Sequence, residues 1–208
     1  MNNKISLETK EMAKRMCSID RMLPPQNLFY YYSILYSAEC SVRAFDSYEY
    51  LLSQEEFDPI LLISLIQEAI GHAGSLSFYF WNNGGSSKKP KEIKDYIQHR
   101  SNCFQKEFDL NDDSALKNRT LRNMFEHFDE KVDIFLINNL SGIFYPMPVI
   151  GKHTDIEDNI LNKNFKLLDI NEKCLVLLDK KFFFEEIQKE VIRIYKIAKE
   201  KVDKKGMI

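Results

Sequence analysis

The sequence holds no CxxC pair: its four cysteines, Cys17, Cys40, Cys103 and Cys174, lie far apart. That spacing speaks against a zinc site or a redox couple and fits reduced, partly buried thiols of a cytosolic protein. No run of about 18 apolar residues occurs, so no membrane span is expected. The opening stretch MNNKISLETKEMAKRM lacks the apolar centre of a signal peptide, which also points to the cytoplasm. Charge of one sign is not in excess either: 29 Lys and Arg against 31 Asp and Glu leave a net charge of −2. Bulk charge therefore does not hold this protein on nucleic acid. An RNA contact needs a local basic site, or an oligomer that brings such sites together. GxSxG, HExxH, Rossmann and Walker patterns are missing, as are internal repeats, and neither a metal nor a cofactor is expected.

What is present is apolar material with helical spacing. The 208 residues are 44% hydrophobic and 12% aromatic, enough for one sizeable core, and we read residues 1–208 as a single domain. Within residues 1–25, a short amphipathic helix from about Ser6 to Met22 is expected to stop at Leu23-Pro24-Pro25. A long helix from Leu28 to about Ser53 is dense in aromatics, with Tyr30, Tyr31 and Tyr32 fitting a core or a dimer interface better than base stacking. Asp58 and Pro59 form a start signal for a second long helix, Ile60 through Trp81, apolar nearly all round and hence central. In it Glu68 stands four residues before His72. We read His72 as a satisfied, partly buried histidine, since no third metal ligand is placed by the sequence.

Residues 82–91, Asn82-Asn83-Gly84-Gly85-Ser86-Ser87-Lys88-Lys89-Pro90-Lys91, break the pattern and read as a basic surface loop, with glycines wrongly spaced for a phosphate loop. A third helix is expected from about Lys91 to Phe108. Asn111-Asp112-Asp113-Ser114 offers caps for a fourth, from about Ala115 to Asn138. Residues 140–180 read as an irregular stretch with a β-hairpin, Phe165–Ile170 against Cys174–Leu178. A final amphipathic helix runs from about Lys181 to Val202, with Phe183, Ile187, Val191, Ile194, Tyr195, Ala198 and Val202 on its apolar side. The fold class is mainly α: an up-down bundle of four to five helices, with a small β-hairpin insertion before the last.

On a helical wheel of the fourth helix, Leu121, Met124, Phe125, Phe128, Val132, Phe135 and Leu136 form one apolar stripe. Arg122, Asn123, Glu126, His127 and Glu130 fall opposite, with Asn123 facing His127 and Arg122 facing Glu126 one turn on. A charged outer face is ordinary, and Arg122–Glu126 fits a plain surface ion pair. The same face gathers an imidazole, an amide, a guanidinium and carboxylates where the core has no use for them.

Arg122-Asn123-x-x-x-His127, late in a helical bundle, resembles the Arg-polar-x-x-x-His signature of the HEPN superfamily. The neighbouring run Leu116-Lys117-Asn118-Arg119-Thr120-Leu121 through Asp129 is similar in character. The resemblance covers roughly residues 28–139 and the last helix, and leaves 140–180 without a counterpart. It implies an all-α, HEPN-like domain, many relatives of which are metal-independent endoribonucleases of toxin–antitoxin and defence systems. It also implies a homodimer whose groove unites two copies of the motif, and an antitoxin or nucleotidyltransferase-type partner. Arg122, Asn123 and His127 are then the catalytic candidates and Glu126 an orienting group. Lys88, Lys89 and Arg119 are candidates for RNA contact. His127 suits proton transfer near neutral pH, and Arg122 suits bidentate contact with phosphate. A non-catalytic HEPN-like module that binds RNA, a nucleotide or a protein is the alternative, because Glu126, Asp129 and Glu130 repel phosphate.

Overall fold

The computed structural model describes residues 5–81, 89–118, 124, 127–154 and 162–205. Among these residues the protein is mainly helical, with a small strand insertion before the last helix. The helices are α1 (Leu7–Cys17), α2 (Pro24–Leu52), α3 (Pro59–Phe80), α4 (Lys91–Glu107), α5 (Phe128–Asn138) and α6 (Glu185–Lys205). Between α5 and α6 come β1 (Ile143–Tyr145), β2 (Val149–Ile150), β3 (Asn162–Asn164), β4 (Lys166–Asp169), β5 (Cys174–Leu177) and β6 (Lys180–Phe183).

The helix boundaries follow their caps. Ser6 Oγ accepts from Thr9 N at 3.1 Å, and α1 already ends at Cys17, where the Ser18 hydroxyl donates back to Arg15 O at 2.7 Å. Pro24 and Pro25 do not stop that helix. They open α2, where a missing N–H costs no hydrogen bond. Asp58 Oδ1 accepts from Ile60 N at 2.9 Å ahead of Pro59, so α3 begins where its residues specify.

The core lies between α2, α3 and α6, with α4 across one end and α1 resting on α4. Leu62, Ile66, Ala69, Ile70, Ala73, Leu76 and Phe80 bury one side of α3, while Ile60, Leu61 and Phe78 stay exposed. Among the described residues α3 alone is long and apolar enough to cross a membrane, and its best window is 44% buried within the protein. Edge-to-face rings join the helices: Tyr30 and Phe104 at 5.3 Å, Phe80 and Phe108 at 5.2 Å. Phe184 brings α6 to α2, with its ring 6.2 Å from Phe45 and 5.9 Å from Tyr48.

The expected hairpin forms as β4 against β5, pairing Leu167 with Val176 and Asp169 with Cys174. It sits in a four-stranded sheet of order β2-β4-β5-β6, with β2 parallel to β4, while β1 and β3 form a separate parallel pair. Leu168, Leu175 and Leu177 join the helical core, and Leu167, Cys174 and Val176 form a small cluster with Val149. The last helix starts four residues later than its apolar pattern suggests. Lys180–Phe183 is strand, so Phe183 is 54% exposed and Phe184 is fully buried in its place. The cysteines are free, and burial pushes the Cys174 thiol up to about 11, which keeps it protonated and inert.

Candidate functional site

The structure does not carry one unbroken helix from Ala115 to Asn138: it breaks at Asn118 and again at His127. Ala115–Lys117 is a single 3-10 turn, closed by Ser114 Oγ on Leu116 N at 3.4 Å, and Asn118 then leaves helical conformation at φ −64° and ψ 102°. Met124 is buried, but His127 has φ −129° and ψ 40° and stands as the N-cap of α5. A wheel drawn unbroken from Ala115 to Asn138 is therefore wrong at His127. Three-dimensional packing decides this. Phe128 turns inward against Phe165, ring centroids 5.6 Å apart, which fixes where the new helix begins. Of the expected stripe, Phe128, Val132 and Phe135 do pack on the core, while Leu136 is 48% exposed.

Arg122, Asn123, Glu126, Arg119 and Lys88 lie outside the described residues, so neither the Asn123–His127 nor the Arg122–Glu126 pairing falls within them. Lys89 is exposed. The His127 side chain is 54% exposed, and its Nδ1 lies 3.8 Å from Glu130 Oε1 one turn into α5. The ring is open to an incoming molecule, and the Glu130 carboxylate lies beyond hydrogen-bond distance of it. Asp129 and Glu130 occupy the first turn of α5, where negative charge complements the helix dipole.

Behind Phe128 sits a cation that sequence reading did not single out. Lys166 Nζ lies 5.5 Å from the Phe128 ring centre and 5.0 Å from that of Phe165, and donates to Gln67 Oε1 at 3.0 Å. No ion pair to a carboxylate is made by it among the described residues. Burial alone pulls its ammonium below the usual lysine range. Two shallow hollows flank α5. One, of about 220 Å³, is lined by Met124, Ile134, Phe135 and Lys180, and the other, of about 190 Å³, by Val132, Phe144, Lys163 and Phe165 among others.

A second ordered group is His153 with Asp169. His153 Nδ1 lies 2.8 Å from Asp169 Oδ2, which also accepts from His153 N at 2.9 Å. Asp169 Oδ1 accepts from Asn171 N and Glu172 N, each at 3.1 Å. Burial would raise this carboxyl, yet the His153 amide and ring and the Glu172 amide outweigh it and hold the group below the usual carboxylate range. The ionised carboxylate only accepts, so Nδ1 carries the proton toward it. The arrangement fixes one imidazole tautomer. The one sequence signal is Asp169 itself, an aspartate two and three residues before the turn amides from which it accepts.

His72 is partly buried as expected, with Nε2 3.9 Å from Glu68 Oε1. No cluster of three metal-ligating side chains occurs among the described residues. Comparison with known proteins finds no matching family model, no matching curated sequence and no matching solved structure.

Proposed function

We propose that this chain is a HEPN-like, metal-independent endoribonuclease whose helices form an up-down bundle and whose Arg122, Asn123 and His127 act in a groove between two copies. The observation that carries the reading is the exposed His127 at the start of α5, which belongs to the Arg122-Asn123-x-x-x-His127 run. In the reaction, a ribose 2′-oxygen loses its proton and attacks the adjacent phosphorus. The bond from phosphorus to the 5′-oxygen breaks, that oxygen gains a proton, and a cyclic phosphate remains. An imidazole can move either proton. Arg122 offsets charge on the phosphoryl oxygens, and Asn123 donates to phosphate or to the ring. An antitoxin or nucleotidyltransferase-type protein is the partner that such an activity needs for restraint.

The test is incubation of purified protein with mixed RNA in excess EDTA, beside His127→Ala. Cleavage that survives EDTA and is lost in the variant supports the proposal; equal cleavage by both proteins overturns it. A specific observation favours a second reading, a non-catalytic binding module: Asp129 and Glu130 crowd His127 with negative charge. Salt-dependent RNA binding that weakens in Arg122→Ala, without cleavage, would select that reading.

A further inference from the structure

The outward face of α2 carries a stripe that no other described element covers. Phe29, Tyr32, Tyr36 and Tyr50 are 79%, 52%, 67% and 71% exposed, although the opposite side of the same helix is sealed against α3 and α6. Glu39, Arg43 and Asp46 complete it, so that Phe29, Tyr32, Tyr36, Glu39, Arg43, Asp46 and Tyr50 follow one another at alternating steps of three and four. That spacing is the seam of a two-helix coiled coil. Four large aromatics in one line on a single helix are not ordinary surface.

The charges say what covers them. In a parallel pair of α2 helices, Arg43 would meet the partner's Arg43, and Glu39 the partner's Glu39. In an antiparallel pair with its two-fold axis level with Ser41, Glu39 meets the partner's Arg43, Tyr36 meets the partner's Asp46, and Tyr32 meets the partner's Tyr50. Each layer occurs twice by symmetry, as an isologous interface requires. Arg43 already pairs with Glu39 of its own helix, so the central layer becomes a four-charge network. From these complementary layers we infer that α2 is a self-association surface that binds the α2 of a second copy antiparallel.

Phe29 to Tyr50 spans about 32 Å at 1.5 Å per residue. A strip of that length buries on the order of 1,000 Å² in total, at the small end of specific interfaces, which fits a reversible rather than an obligate dimer. This surface depends on neither His127 nor RNA, and its test reads mass rather than cleavage.

The experiment is sedimentation equilibrium of the full chain from about 1 to 200 µM in low salt. The wild type is expected to approach twice the 24.6 kDa chain mass as concentration rises. Arg43→Glu and Glu39→Arg, each alone, place like charges across the central layer and raise the dissociation constant more than about tenfold. Mixed one to one, the two variants restore opposite charges in both central layers and form a heterodimer. Both changes are at the surface, and unchanged circular dichroism confirms folding. A wild type that stays monomeric throughout, single variants that associate as well as wild type, or a mixture that fails to pair would each overturn the inference.

Discussion

Replacing Asp169 by Asn tests whether one buried carboxylate ties the insertion together. Its two oxygens are divided: Oδ2 serves the amide and ring of His153, and Oδ1 serves the amides of Asn171 and Glu172. An asparagine keeps a single acceptor oxygen, so either orientation preserves one pair of donors and turns its NH2 group toward the other. Two net hydrogen bonds at about 1 kcal/mol each are lost. The surviving pair weakens because the acceptor is no longer charged. The sum is about 2–3 kcal/mol. With a urea slope of about 2–3 kcal/mol per molar, the midpoint of unfolding should fall by about 1 M at pH 7. The sign with pH follows from the folded-state value lying below the ordinary one. The stability that Asp169 contributes is present in full above the unfolded value of about 3.9 and is lost as pH falls through the folded value. The gap between wild type and Asp169→Asn should thus hold from pH 8 to about 5 and narrow below about pH 4. A midpoint within about 0.2 M of wild type at pH 7 would refute the reasoning, as would a gap that stays constant down to pH 3.

Phe184→Ala removes a fully buried ring between Phe45 and Tyr48 and should cost about 4 kcal/mol in chemical denaturation. Lys166→Met keeps the apolar stem against Phe128 and Phe165 and discards a desolvated charge, so the loss should stay under about 1.5 kcal/mol. Because burial lowers the folded-state value of Lys166, wild type should gain on that variant as pH rises toward 10, readable in paired melts. Glu130→Gln removes a first-turn charge and should cost about 0.5 kcal/mol of α5 stability while tightening RNA binding in a titration.

The parts of the fold legible in sequence are those specified within a few residues. Asp58 and Pro59 mark the start of α3 whatever the rest of the chain does, and Asn171-Glu172-Lys173 separates two strand-like runs. β6 escaped because its turn carries no local signal. Leu178 and Asp179 both take positive φ, 49° and 63°, where a two-residue hairpin usually has Asn and Gly. Burial of Leu178 against the core holds it there. The alternation of Phe182, Phe183 and Phe184 was then absorbed into the apolar run of α6. The break at His127 was hidden for a related reason: apolar spacing continues across it, and a wheel counts residues without registering a change in φ and ψ. The His153–Asp169 pair was out of reach because sixteen residues separate its members. The parallel register of β2 on β4 brings that pair together, and no short pattern encodes it.

Moving His127 from the middle of a helix to its N-cap changes what the acidic neighbours mean. In mid-helix, Asp129 and Glu130 would only be carboxylates crowding a phosphate site. At a helix start they complement the partial positive charge of the free amides, while the His127 carbonyl accepts the first helical bond from Lys131 N at 3.1 Å. Their presence has a structural cause, and their charge still opposes a phosphate held at His127. Among the described groups, a helix end worth about half a positive charge stands against two carboxylates, so the charge beside His127 stays negative. A phosphate would gain little there from these groups alone. Its charge has to be met by residues outside this cluster, Arg122 of the same chain or cations from a second copy. A His127 site that cleaved RNA equally well with Arg122 removed, in a monomer, would contradict that requirement.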